Sequence, residues 1–405
     1  MAEGDGASET ASRATSTTQP WNTLIPMNFP PARRGTLASI AAELGVSRTT
    51  VSNAYNRPDQ LSPKLREKIL QTANRLGYPG PDPTARSLRT RHAGAIGVLL
   101  TEDMTYAFED QASLEFVSGI SVACSTMDAS MLLIPAGVES NDKPEPADTA
   151  ARAAQLIGQA AVDGFIVYSV AADDPFLDAV QHRGLPTVIC DQPAEVPGGN
   201  FVGIDDRHAI QPAVRTLVDA GHRNIGILCI RLDRHPNNGP VTAERLANAQ
   251  MHVQRSRVQG VLDVLSTIDP TGEPASADTV PIVERHINNE ATAYSAAEEL
   301  LTAHPELTAV VCTTDSQALG VLAYAEDAGL TIPGDLSVTG FDGIPQAVDQ
   351  GVTTVSQPSR TKGLEAGEML AQLIKGQDAK KPQAPQRVEL PTELIEGTSV
   401  GAPRT

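Results

Sequence analysis

The 405-residue chain has an ordinary globular composition, with 40% hydrophobic and 20% charged residues, and it can bury sizeable cores. At this length we expect two or three domains. No stretch approaches the roughly 18–20 apolar residues of a membrane span, and the polar N-terminus lacks the apolar core of a secretion signal. These features argue against a membrane partner and favour a cytoplasmic protein.

The net charge of −18 is distributed unevenly along the chain. Residues 31–92 contain eleven Lys and Arg against four acids, a local charge of +7 that leaves −25 for the remainder. A basic segment joined to an acidic domain is typical of a protein whose basic part contacts DNA phosphates and whose acidic part does not bind nucleic acid. Charge alone is equally consistent with a basic surface that contacts only solvent.

Residues 1–35 are rich in Ser, Thr, Ala, Pro and Gly without apolar periodicity, which predicts a disordered tail. Three short helices are predicted next. Thr36 caps the first helix, Ser47 caps the second, and Ser62 followed by Pro63 opens the third. A proline-rich connector follows.

The segment LASIAAELGVSRTTVSNAYN meets the steric demands of a helix-turn-helix. Ala41 is small enough for two helices to approach closely, and Gly45 suits the tight turn between them. The second helix turns polar side chains outward that can reach bases or phosphates, namely Arg48, Thr49, Thr50, Ser52, Asn53 and Asn56. Together with the local charge, this pattern predicts a DNA-binding module.

From about residue 93, apolar runs such as AIGVLL and NIGILCI alternate with amphipathic stretches. Strands buried on both faces and joined by helices indicate parallel sheets. The number of elements predicts an α/β fold with two doubly wound parallel-sheet subdomains and a ligand cleft between them.

Catalytic and metal signatures are missing from the sequence. The segment GAIG lacks the third glycine of a dinucleotide loop, and neither a serine elbow nor a phosphate-binding loop occurs. The four cysteines and eight histidines show no metal-ligand spacing, and the cysteines are expected to be buried structural thiols. Asp205 and Asp206 are interpreted as helix caps. We therefore expect no enzyme activity, no metal and no cofactor.

Three segments resemble the LacI/GalR family of transcription repressors. They are TLASIAAELGVSRTTVS, LGYPGPDPTARSL and TAVVCTTDSQALGVLAYAEDAGLTIPGDLSVTGFDG, and the likeness covers about residues 36–399. The following GVTTVSQP is similar to the family's last crossover between subdomains. The resemblance implies a helix-turn-helix head on a sensor domain of periplasmic-binding-protein type.

The resemblance also implies how the head recognises DNA. Arg48, Thr49 and Asn53 would read the major groove. Thr36 and Ser47, which cap the first two helices, would also contact the DNA. In the hinge TARSLRT, Leu88 matches the leucine that wedges into the minor groove, and Arg86 would contact the flanking backbone. A single reading helix supplies limited specificity, so we expect a homodimer on a pseudopalindromic operator of double-stranded DNA.

Effector-binding residues carry over from the family by position, namely Tyr106, Phe108, Asp191, Arg257, Thr314, Asp315 and Asp342. Carboxylates and an arginine around a cleft suit a sugar or sugar derivative. Thr314 stands where several sugar-binding members have asparagine, so a nucleoside or another metabolite is an alternative effector. An effector that acts as a co-repressor also stays open.

The predicted domain boundaries follow from these segments. They are a tail at 1–35, a DNA-binding domain at 36–83, a hinge at 84–92, an effector-binding and dimerisation domain at 93–397, and a tail at 398–405. Within that domain, the N-subdomain is expected at about 93–200 and 357–386, and the C-subdomain at about 201–356 and 387–397. The family's tetramerising C-terminal heptads are missing after Val400, which favours a dimer.

Overall fold

The computed structural model describes residues 35–81, 87, 92–100, 104–136, 146–268, 274–378 and 384–404. The chain divides into two compact units, which meet in sequence between Arg89 and Thr90. The expectation of a disordered tail falls outside the described residues, as does most of the predicted hinge. Every helix in the described ranges is too short or too polar to cross a membrane.

The first unit is helical, as the sequence predicts. Its α-helices within the described residues are α1 (Leu37–Leu44), α2 (Arg48–Asn56) and α3 (Pro63–Arg75). A small apolar core joins the three helices through Ile40, Ala41, Val51, Ala54, Ile69 and Ala73. Because Ala41 is nearly fully buried, the small side chain at this position allows the close approach that the motif requires.

The second unit contains two sheets that are almost entirely parallel. The first sheet has the order β12-β5-β4-β3-β1-β2, with strands β1 (Ala95–Leu100), β2 (Ser130–Pro135), β3 (Phe165–Tyr168), β4 (Thr187–Cys190), β5 (Asn200–Gly203) and β12 (Arg387–Glu389). The second has the order β13-β11-β10-β9-β6-β8-β7, with β6 (Ile225–Ile230), β7 (Gly239–Pro240), β8 (Ile282–Arg285), β9 (Ala309–Cys312), β10 (Ser337–Asp342), β11 (Thr353–Ser356) and β13 (Glu393–Ile395). Only the edge strands β7 and β13 pair antiparallel.

Helices cover both faces of each sheet, as in a doubly wound fold. Those of the first subdomain are α4 (Met104–Glu109), α5 (Gln111–Met127), α6 (Pro146–Gln159), α7 (Pro175–Arg183) and α15 (Ser359–Asp378). Those of the second are α8 (Asp206–Ala209), α9 (Gln211–Asp219), α10 (Ala243–Ala247), α11 (His252–Ser266), α12 (Glu290–Ala303), α13 (Asp315–Asp327) and α14 (Pro345–Asp349). All four cysteines are buried, as expected from their apolar surroundings.

The chain passes between the subdomains three times, after β5, after β11 and after β12. The segment GVTTVSQP therefore forms the second crossover and not the last. The structure also differs from the predicted subdomain limits, since residues 387–389 belong to the first sheet. Arg387 pairs in parallel register with Phe201, and its guanidinium carbon lies 4.0 Å from the centre of that ring.

Candidate functional site

Two side-chain caps set the start of the first helix and of the second. The Thr36 hydroxyl accepts a hydrogen bond from the Ser39 amide (3.1 Å), and the Ser39 hydroxyl accepts one from the Thr36 amide (2.8 Å). The Ser47 hydroxyl accepts a hydrogen bond from the Thr50 amide (3.0 Å). Between them Gly45 has a φ of 65°, a left-handed conformation that glycine adopts without strain.

Helix α2 presents a polar surface to solvent. Arg48 and Thr49 are exposed at its N-terminal end, and the side chains of Thr50, Ser52, Asn53 and Asn56 are partly exposed. Two of these residues also stabilise the local structure. The Asn53 amide donates to Gln60 Oε1 (3.2 Å), and the Asn56 amide donates to the carbonyl of Ser52 (3.0 Å).

The position of α2 is fixed by α3. The Arg66 Nε atom donates to the carbonyl of Ala54 near the C-terminal end of α2 (3.2 Å), while Arg75 at the end of α3 pairs with Glu43 of α1. The exposed end of α2 is thus held on a rigid support, as a reading helix requires. Arg86 and Leu88 lie outside the described residues.

A polar cavity lies between the two sheets of the second unit. It is lined by Leu100, Ala107, Asp110, Ala112, Ser113, Tyr168, Ser169, Asp191, Ile230, Val253, Gln254, Arg257, Asn288, Thr314, Asp342 and Gln357. Many of these residues end a strand or begin the following helix, which is where doubly wound folds bind ligands. Ser169, Asp191 and Asp342 have positive φ angles of 56°, 63° and 124°. Such strained non-glycine residues concentrate at functional sites.

The cavity brings together four of the seven predicted effector residues, namely Asp191, Arg257, Thr314 and Asp342. Asp315 lies behind the cavity, where its carboxylate accepts hydrogen bonds from the Thr354 hydroxyl (2.6 Å) and the Ile344 amide (2.8 Å). Phe108 is 52% exposed and does not line the cavity. Tyr106 belongs to α4, and its side chain is outside the described part of the structure. Tyr168 is instead the aromatic residue among the described lining residues.

Arg257 is the main cation of this cavity. Its Nε atom donates to Asp206 Oδ1 (2.8 Å), and its Nη1 atom donates to the carbonyl of Thr313 (2.8 Å). Nη1 also lies 3.5 Å from Asp342 Oδ1, and the guanidinium carbon is 3.8 Å from the Phe341 ring centre. These contacts hold the guanidinium in one orientation at the wall of the second subdomain.

Asp342 is buried beside this arginine. Its Oδ1 atom accepts a hydrogen bond from the Gln357 amide at 2.5 Å. Burial raises the pKa of Asp342 to about 8; Arg257 opposes the rise, and the carboxylates of Asp315 and Asp110 add to it. At neutral pH the group is therefore largely protonated and able to donate a hydrogen bond.

Asp191 on the first subdomain has a buried partner that sequence analysis missed. Lys362, at the start of α15 and fully buried, donates to both carboxylate oxygens (2.9 and 2.7 Å) and to Gln357 Oε1 (2.8 Å). Gln357 lies in the second crossover. Hydrogen bonds thus run from Asp191 through Lys362 and Gln357 to Asp342, from one subdomain to the other.

Two further polar pairs join the two subdomains. Asn288 of the second subdomain donates to Asp110 Oδ1 of the first at 3.5 Å and accepts from the Thr314 hydroxyl at 2.7 Å. Gln192, fully buried, accepts from the Val253 amide across the subdomain boundary (2.9 Å).

The sequence predicts the role of Asp205 correctly and that of Asp206 incorrectly. Asp205 caps α8 by accepting from the His208 amide (3.1 Å), as expected. Asp206 instead turns inward to Arg257, and burial raises its pKa while Arg257 opposes the rise. Two adjacent acids after a strand signal a cap, but only the fold reveals which one meets an arginine 51 residues away.

Comparisons with known proteins agree with this architecture. Residues 36–80 match the family model "Bacterial regulatory proteins, lacI family", and residues 214–400 match "Periplasmic binding protein-like domain". The HTH-type transcriptional regulator IpsA of Corynebacterium glutamicum is 53% identical over 90% of this chain and 97% of its own length. A HTH-type transcriptional repressor PurR from Proteus mirabilis is 28% identical over 90% of this chain and 96% of its own length.

Solved structures show the same relationship. A LacI-family transcriptional regulator from Corynebacterium glutamicum has a TM-score of 0.67 at 50% identity, covering 90% of this chain and 99% of that one. A structure described as the transcriptional regulator CelR-cellobiose complex has a TM-score of 0.62 at 25% identity, covering 90% of this chain and 100% of that one.

A helix-turn-helix joined in one chain to a cleft of periplasmic-binding-protein type defines a DNA-binding transcription regulator with an effector-binding domain, not an enzyme. The chain belongs to the LacI family.

Proposed function

We propose that the protein is a transcriptional repressor that binds a pseudopalindromic operator as a homodimer and responds to a sugar or sugar derivative in its cleft. The observation that carries the proposal is the polar cavity at the carboxyl ends of two parallel sheets, in a chain that also holds a capped reading helix. Similarity to a relative named as a transcriptional repressor supports repression rather than activation.

We assign DNA contacts to the exposed surface of the head. Arg48, Thr49 and Asn53 read base edges, and a guanine suits the bidentate fork of Arg48. Contacts to phosphates and neighbouring bases are assigned to Thr36, Ser47, Thr50, Ser52 and Asn56. Arg86 completes the proposal as a contact to the flanking DNA backbone, and Leu88 as a minor-groove wedge.

Exposed apolar side chains on the first subdomain support the homodimer. Leu114 and Val122 on α5 and Leu132 on β2 are 39%, 42% and 41% exposed, although all three are large and apolar. Serines 118 and 121 lie between the α5 pair, and the charged Glu115 borders Leu114 and pairs with Arg360. Exposed apolar side chains on α5 and on β2, an edge strand of the described sheet, suit contact with a second copy of the chain. Sedimentation should give a dimer for the wild type and a monomer for Val122→Glu.

The cavity chemistry supports a hydroxyl-rich effector. Fixed carboxylates, an arginine and amides supply oriented hydrogen-bond donors and acceptors, while Tyr168 supplies an apolar surface for a ring. We assign effector contacts to Asp191, Arg257, Thr314 and Asp342. The cellobiose complex of a similar regulator adds support. A nucleoside or another metabolite is the alternative effector, and a co-repressor role is the alternative direction.

The test uses duplex DNA selected by the wild-type protein from a randomised pool. Fluorescence anisotropy should show binding to a two-fold symmetric site and a weaker affinity when glucose, ribose, cellobiose or a derivative occupies the cleft. An asymmetric half-site bound by a monomer would contradict the operator model. Tighter DNA binding in the presence of the sugar would reverse the direction of control.

A further inference from the structure

The cations at the cavity are already matched by carboxylates. Arg257, the cation among the described lining residues, bonds to Asp206 and lies beside Asp342. Lys362, directly behind the wall, donates hydrogen bonds to both carboxylate oxygens of Asp191. An anionic ligand would therefore meet no unmatched cation among the described lining residues and would compete with Asp206 for the charge of Arg257.

Three helix N-termini that line the cavity are also occupied. At the start of α11, the Val253 amide donates to Gln192 Oε1 at 2.9 Å. Asp110 caps α5, its Oδ2 atom accepting from the Ser113 amide at 2.8 Å. Thr314 caps α13, its hydroxyl accepting from the Gln317 amide at 3.3 Å. Helix N-termini are common binding sites for phosphate and carboxylate groups. Here one of them already carries a negative charge.

Two carboxyl groups in the wall remain without a dedicated cation. Asp110 has the amide of Asn288 as its partner across the cavity, at 3.5 Å. Asp342 accepts from the Gln357 amide and shares Arg257 with Asp206. Both carboxyl groups can form hydrogen bonds with ligand hydroxyl groups, and the Asp110 carboxylate also repels anions, so the wall favours an uncharged ligand.

Resting on the sugar effector proposed above, we infer that the cleft selects an uncharged, hydroxyl-rich ligand and rejects its phosphorylated and carboxylated counterparts. Asp110 is the principal selectivity residue. Its carboxylate faces the cavity from the first subdomain while both nearby cations are held by other acids. An anion at this position meets the charge of Asp110 without a compensating partner.

The experiment compares matched pairs of probes by thermal shift and calorimetry on the full-length protein. The pairs are glucose with glucose 6-phosphate and gluconate, ribose with ribose 5-phosphate, and cellobiose with cellobionate. The neutral probes should raise the melting temperature of the protein. Each anionic counterpart of a sugar that binds should have an affinity at least tenfold weaker. Asp110→Asn keeps a capping side chain and should reduce the ratio of neutral-probe to anionic-probe affinity severalfold. Asp219→Asn, an exposed change on the second subdomain, should leave it unchanged.

The outcomes separate this inference from the function it rests on. An anionic probe that binds as tightly as its neutral counterpart would overturn the selectivity while leaving a sugar-derived effector in place. An unchanged ratio in Asp110→Asn would overturn the role of that residue. Failure of every probe to bind would overturn both the selectivity and the sugar effector.

Discussion

The head and the cleft reach their functional geometry by opposite routes. In the head, the proposed base-reading residues Arg48, Thr49 and Asn53 come from one short helix whose cap and preceding turn are sequence neighbours. In the cleft, the groups that meet come from positions as distant as Asp110 and Gln357. Local chemistry dictates the first site, whereas strand order and the crossovers dictate the second. The two sites should therefore respond differently to substitution.

The largest effect is expected at Lys362, where long-range packing matters most. Lys362→Met leaves the Asp191 carboxylate buried without its cation, and the free energy of unfolding should fall by about 3–5 kcal/mol. Urea denaturation measures the change. Arg360→Ala removes an exposed ion pair two residues earlier on the same helix and should change stability by less than about 1 kcal/mol. Equal losses in the two variants would contradict the buried network.

A smaller loss, confined to DNA binding, is expected at Arg48. Arg48→Ala should weaken affinity for the selected operator by about 5- to 150-fold, because a specific base contact contributes about 1–3 kcal/mol. Arg75→Ala is the matched control, since this exposed arginine pairs with Glu43 on α1 rather than extending from α2. If Arg75→Ala weakened binding as much as Arg48→Ala, general charge and not base reading would explain the affinity.

A local effect of about 1 kcal/mol is expected at the first helix cap. Thr36→Ala removes the acceptor of the Ser39 amide and should lower the stability of the head by that amount. Thr36→Asp keeps an acceptor and should restore it. Thermal unfolding followed by circular dichroism compares the variants, and a failure of Asp to rescue would show that the reciprocal cap contributes little.

At Asp342 the expected effect is a pH dependence of stability rather than a fixed loss. Its pKa is raised to about 8 in the folded protein, so between about pH 4 and pH 8 the folded state holds a proton that the unfolded state has released. This contribution to stability therefore falls as pH rises through that window. Asp342→Asn cannot ionise and should show a flatter profile, while Asp219→Asn should follow the wild type. Parallel profiles for wild type and Asp342→Asn would contradict the raised pKa.

Sequence could predict the head almost completely because its determinants are local. The caps Thr36, Ser47 and Ser62, the turn at Gly45 and the buried Ala41 are each confirmed by the structure. The two parallel sheets also follow from alternating buried strands and helices. Their crossovers were harder to place, since the short strand at 387–389 has too few residues to carry a pattern.

Sequence could predict only part of the cleft because its contacts are long-range. The family resemblance indicated Asp191 and Asp342, yet nothing local distinguishes Lys362 from the solvated lysines of other helices. Phe108 follows the first strand as expected but turns to solvent. Asp315 sits one residue beyond a cavity residue and supports β11 and the loop after β10 instead.

The central claim is that the cleft and the head are energetically linked, and reciprocity tests it most directly. With a sugar that binds the cleft, the operator dissociation constant is measured with and without sugar, and the sugar dissociation constant with and without operator. Linkage requires both constants to change by the same factor, and we expect about 5- to 150-fold. A factor of one in both titrations would show that the two sites are independent and would contradict the account.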